Sequence, residues 1–224
     1  MAYNRPMKNT RFWKLLSALE LALAIAAVVL DLFIPTIVLL GLLFLSLLAR
    51  REKLSVLGFK KPASFPAMLL FITAAVIAWS LLQLGLLMPV LNHLTGTTQD
   101  VSAYANLQGN LGSLLFFLLM TWTLAAFGEE IAYRGYIPRR IQDLAGENRA
   151  GAIVAIGLSS LLFGLAHTEQ GVVGVIVTAL DAVFFSLLKQ RYGGNLWAPI
   201  LAHGISNTIG LVTFYLVGPL TGFW

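Results

Sequence analysis

The chain has 224 residues, 58% of them hydrophobic and 11% charged, with a net charge of +5 and no cysteine. A soluble domain carries about 25% charged residues, so the composition excludes a water-exposed globule. The missing cysteines exclude disulfides, thiolate metal sites, cysteine nucleophiles and lipidation through cysteine. The positive charge does not call for nucleic acid, because Lys and Arg fall in four groups between or before apolar runs, the positive-inside pattern.

In chain order, the first apolar run (12–30) follows Arg5, Lys8 and Arg11. It reads as a membrane span rather than a cleaved signal peptide, because it continues well past Ala22 and Ala24. A second span (32–49) ends at Arg50 and Arg51, and a basic connection over 50–65 leads to a third (65–90). The polar stretch 92–110 contains Asp100 and no Lys or Arg, which assigns it to the outside. A fourth span begins near 111 and runs toward Pro138, and a basic turn (139–149) returns the chain inside. Spans five (150–166), six (172–188) and seven (198–217) follow, with a short outer turn at 167–171 and an inner one at 189–195.

These features predict an all-α, polytopic integral membrane protein with about seven transmembrane helices, eight being the alternative count, and a cytoplasmic N-terminus. The expected location is the cell membrane. The expected organisation is one membrane domain with a support region (1–110) ahead of a functional core (111–217), because the unusual polar residues gather after 128.

An ionisable side chain at the centre of a bilayer costs about 2.5–3.5 kcal/mol on insertion scales, so each needs a reason to be there. Three groups stand out: Glu129, Glu130 and Arg134; Phe163 and His167; and His203 and Asn207, just after Asn195 and Pro199. Glu130 and Arg134 are four apart and share a helical face with the acid first, the better order for pairing. Glu129 is turned by about 100° from its neighbour and can address another surface. His203 and Asn207 also share a face, and Phe163 lies one turn before His167, where it can pack on the ring.

Depth is the test of whether these groups can meet. At about 1.5 Å per residue, Glu129 lies about 15 Å from Arg139, and His203 about 12 Å from Asn195. His167, by contrast, lies about 27 Å from Arg149, which requires the fifth helix to start within the turn or to tilt strongly.

A Glu-Glu-x-x-x-Arg motif, then Phe-x-x-x-His, then His-x-x-x-Asn after an Asn-Leu-Trp-Ala-Pro turn resembles the CPBP intramembrane proteases. These include the type II CAAX prenyl endopeptidases and bacteriocin-processing or immunity-associated membrane proteins. The resemblance covers roughly residues 110–210. It implies an intramembrane endopeptidase in which Glu129 and His167 activate a water while His203 and Asn207 stabilise the oxyanion. Glu130 and Arg134 would be supporting residues that position Glu129.

The implied substrate is a peptide or protein at the bilayer, lipidated in part of the family, cleaved near the cytoplasmic side. No cofactor is expected. Zinc is the alternative, since two histidines and a glutamate form a common catalytic zinc set, but Asn207 is a poor zinc ligand. A non-enzymatic scaffold or bacteriocin-immunity protein of the same fold is the rival function, and a small transporter a third. Asp181, inside the sixth span, reads as a carboxylate that orients a histidine or bonds to a neighbouring helix.

Overall fold

The computed structural model describes residues 10–219, so Arg5 and Lys8 lie outside the described residues. All regular structure among these residues is helical. Helix α1 (Thr10–Val29) and helix α2 (Pro35–Arg50) form a hairpin. Its turn places Asp31 and Phe33 at positive φ, and Pro35 opens α2 at a position where its missing N–H costs nothing.

Helix α3 (Phe65–Leu82) is capped by the Ser64 side chain and passes through a wide turn at Gln83–Leu87 into α4 (Met88–Thr95). Helix α5 (Leu111–Met120), capped by Asn110, continues as wide-turned helix over Thr121–Glu129 and Ile131–Tyr136, then as α6 (Ile137–Ala145). Helix α7 (Arg149–Leu165) is capped by Asn148, and helices α8 (Gly171–Arg191) and α9 (Trp197–Val217) complete the bundle.

Five of these helical segments are long and apolar enough to cross a bilayer: Arg11–Val29, Phe65–Thr95, Leu111–Ala145, Thr168–Arg191 and Trp197–Val217. Pro35–Arg50 and Arg149–Leu165 are apolar but shorter. Large apolar side chains line the outside of the bundle, including Leu70, Phe44, Ile153 and Leu115. In water such a surface would aggregate. In lipid it is the required one, while helices satisfy the backbone internally.

The expected basic turn at 139–149 is not a turn over most of its length. The helix runs on to Ala145, and the connection to α7 is only three residues long. The reason lies in the partners of the two arginines. Arg140 is buried among Asp143, Glu52 and Glu20, and Arg139 pairs with Glu52 at 2.9 Å. Glu20 also takes Arg50 at 2.8 Å and accepts hydrogen bonds from Ser46 and Tyr136. This network ties α1 and α2 to α6 and keeps the last turns of α6 ordered beyond the apolar stretch.

Two apolar clusters hold the site from either side. One joins α1, α2, the wide-turned helix and α7 around Leu39, Leu43, Tyr133, Ile137 and Phe163. The other joins α3, α8 and α9 around Met68, Ile72, Val76, Phe185 and Ala202.

Candidate active site

The wide-turned stretch contains the Glu129–Glu130 pair. Where backbone bonds run i→i+5 the helix is broader than an α-helix, a rare geometry frequent at functional sites. The two carboxylates leave it in different directions. Glu129 is half-buried, its Oε1 lies 3.5 Å from the Thr36 hydroxyl on α2, and its Oε2 makes no hydrogen bond within the protein. Glu130 is fully buried, with Oε1 3.1 Å from Arg134 Nη1 and 2.8 Å from His203 Nδ1.

The pairing of Glu130 with Arg134 is the expected one, but its destination differs. The pair was expected to position Glu129, whereas Glu130 reaches His203 on α9. The Arg134 guanidinium lies over the Phe163 ring at 4.2 Å and near that of Phe185 at 5.5 Å. Neither of its terminal nitrogens forms an aligned hydrogen bond, so ring faces and the Glu130 charge provide its environment.

The two histidines have different partners at Nδ1. His167 Nδ1 lies 2.8 Å from the Phe163 carbonyl. A carbonyl can only accept, so Nδ1 carries the proton and, in the neutral ring, Nε2 keeps a lone pair. Phe163 packs on this ring at 4.7 Å, the contact its spacing predicts. His203 Nδ1 faces an acceptor too, the Glu130 carboxylate, and its ring stacks on Phe185 at 5.2 Å.

The misfit in depth disappears once the helix ends are known. Glu129 lies at most about 24 Å before Ala145, and His167 about 27 Å beyond Arg149, at 1.5 Å per residue. Both are measured from the same tight connection, so the two residues reach the same level. His203 lies only eight residues beyond Asn195, in the turn before α9. That turn is fixed by Asn195, buried at 3% exposure. Its Nδ2 donates to the Lys60 carbonyl and its Oδ1 accepts from the Trp197 backbone, which sets the start of α9.

Glu129, His167, His203 and Asn207 all line one cavity of about 480 Å³. Asp181 lines it as well and accepts hydrogen bonds from Trp79 at 2.6 Å and Gln83 at 2.8 Å. It therefore bonds to the α3 segment, the second of its two expected roles, and the carboxylate on His203 is Glu130. Ser80, Gln83 and Tyr104 also contribute to the wall, so residues before 111 help to build the chamber.

The lining continues to Asp100, Tyr104, Glu169 and Gln170, at the end of the bundle whose described loops hold no Lys or Arg. The Tyr104 phenol there is raised above its ordinary pKa by burial and then by the charges of Glu169 and Glu129. The chamber thus extends toward the end of the bundle formed by the α4–α5 and α7–α8 loops.

Among the described residues no three His, Asp or Glu side chains come together as a set that could hold a metal ion. Thr36 and the Trp79–Gln83 pair were not legible as site residues. Only the i, i+4 spacing of Trp79 and Gln83 hinted that they share a face.

A helical membrane bundle with buried carboxylates and imidazoles around one chamber belongs to the class of polytopic membrane proteins with an internal polar site. Residues 111–209 match the family described as type II CAAX prenyl endopeptidase Rce1-like. The match covers the same stretch as the motif resemblance and is consistent with the CPBP family. Comparison with curated proteins and with solved structures finds no match.

Proposed function

We propose that the protein is an intramembrane endopeptidase that hydrolyses a peptide bond with a water activated by Glu129 and His167, without a metal ion. The observation that carries this reading is the convergence of Glu129, His167, His203 and Asn207 on one chamber within an Rce1-like segment. Glu129 has an oxygen with no protein partner, and His167 presents a lone pair at Nε2. Together they hold a water by two acceptors, and Glu129 takes its proton as the oxygen attacks the scissile carbonyl.

The tetrahedral oxyanion then needs donors. Asn207 supplies an amide N–H, and His203, held at Nδ1 by Glu130, supplies Nε2–H when that nitrogen carries a proton. Each such donor contributes about 2.7–4 kcal/mol in other enzymes. Collapse of the intermediate returns the proton from Glu129 to the leaving amine. Glu130 is a positioning residue on His203, and Arg134 balances its charge.

The substrate is a membrane peptide or protein segment that enters from the end bearing Asp100 and Glu169, and the protein acts in the cell membrane. The support region 1–110 and core 111–217 act as one unit, with Gln83 completing the wall begun by the core and Thr36 meeting Glu129. Comparative proteomics of cells carrying wild type or Glu129→Ala tests the reading. Fragments that disappear with Glu129→Ala are the expected result. An unchanged set of fragments, with both proteins equally abundant, would favour the non-enzymatic scaffold.

A further inference from the structure

A second cavity, of about 320 Å³, lies at the opposite, basic end of the bundle, between the Leu54–Leu57 turn, α6, α7 and α8. Four basic residues line it, namely Lys60, Arg134, Arg139 and Lys189, and no Asp or Glu does. Ser55, Ser186 and two glutamines add neutral polar groups to its wall. It shares none of its lining with the chamber around Glu129.

The positive-inside pattern explains why cations gather at this end, but not why they converge on a cavity without an acid. The neighbouring cluster shows the contrast. There Arg50, Arg139 and Arg140 meet Glu20, Glu52 and Asp143, so the charges balance within the protein. In the cavity, Lys189 Nζ donates to the Arg134 carbonyl and Lys60 Nζ to the Gly193 carbonyl. Among the described residues neither ammonium has a carboxylate within ion-pair distance. Like charge from Lys60, Arg134 and Arg139 acts on Lys189, and the nearby carboxylate of Glu130 is already engaged by Arg134 and His203. Arg139 Nε is buried and makes no hydrogen bond within the protein.

We propose that this cavity binds a phosphate group, held by Lys60 and Lys189, by Arg139 Nε, which the pair with Glu52 leaves unused, and by the hydroxyls of Ser55 and Ser186. Phosphate fits better than a simple halide because the donors approach from three separate segments, and several tetrahedrally arranged oxygens can use them at once. Two sources share this chemistry: the headgroup of an anionic phospholipid and a free phosphate compound. Basic pockets between membrane helices on the cytoplasmic side are suited to headgroups.

The test uses the full chain, purified and placed in phosphatidylcholine nanodiscs, with two probes. One arm titrates inorganic phosphate against chloride at matched ionic strength and reads the thermal midpoint. The other adds phosphatidylglycerol to the nanodisc and counts retained lipid by native mass spectrometry. Lys60→Gln and Lys189→Gln should weaken the responding probe at least about tenfold, as loss of one charge-assisted contact predicts. Lys61→Gln should leave it unchanged, since Lys61 is an exposed neighbour outside the cavity.

A response to phosphatidylglycerol alone assigns the site to a lipid headgroup, and a response to inorganic phosphate assigns it to a free anion. If Lys189→Gln does not fold, Ala152→Leu fills the cavity without removing charge and must also abolish the response. Equal binding by wild type, Lys60→Gln and Ala152→Leu, or no response to either probe, overturns the proposal.

Discussion

At the scale of single residues, the two adjacent glutamates differ in surroundings: Glu130 is engaged by Arg134 and His203, whereas Glu129 lines the chamber with only the Thr36 hydroxyl at 3.5 Å. Glu129→Gln keeps the shape but removes the base, so cleavage should fall by about 10²–10⁴, the usual contribution of a general base. Turnover of an identified substrate by purified protein measures it, and retained full activity would sink the assignment. Asn207→Ala should lower kcat by about 10²–10³ with little change in KM, as expected for a donor used only in the transition state. Glu130→Gln still accepts a hydrogen bond from His203 but removes the ion pair with Arg134. Its kcat should therefore drop, while the thermal midpoint in detergent distinguishes this from unfolding. An excess of a strong zinc chelator should leave the activity of purified protein unchanged, and loss restored by added zinc would refute the metal-free mechanism.

At the scale of elements, close backbone approach decides which helices can deliver these groups. Gly164, one turn before His167, lies against α8 so tightly that an added Cβ would stand 2.6 Å from the Val175 carbonyl oxygen and 2.8 Å from Ala179 Cβ. Small residues at such crossings let membrane helices pack without a hydrophobic driving force. Gly164→Val should force α7 from α8, cost about 1–3 kcal/mol as overpacking does, and move His167. A lowered thermal midpoint together with reduced turnover is the expected outcome. Gly204 plays the same part beneath the Trp122 indole, one residue after His203. Periodicity predicted the helices around these contacts, but the wide turns at Thr121–Tyr136 were not legible. No local pattern in the sequence records them.

At the scale of the whole molecule, the end of the bundle that the chamber reaches determines which substrates can enter. Because the chain contains no cysteine, single cysteines report sidedness without interference. A membrane-impermeant maleimide should label Thr97→Cys in intact cells and Lys61→Cys only after lysis, and the reverse result would invert the orientation. The composition by itself determined that this is a helical membrane protein, since too little polar surface exists for any other solvent. The residue types and spacings also marked Glu129, His167, His203 and Asn207, because buried charge is expensive and each such group stands out against an apolar run. Tertiary structure alone decided which carboxylate serves which histidine, where the chamber opens and how His167 reaches the level of Glu129. Those facts depend on where helices end and how closely they approach. Arg139 and Arg140 show why: read as loop residues, they are helical because Glu20 and Glu52, far away in sequence, neutralise them.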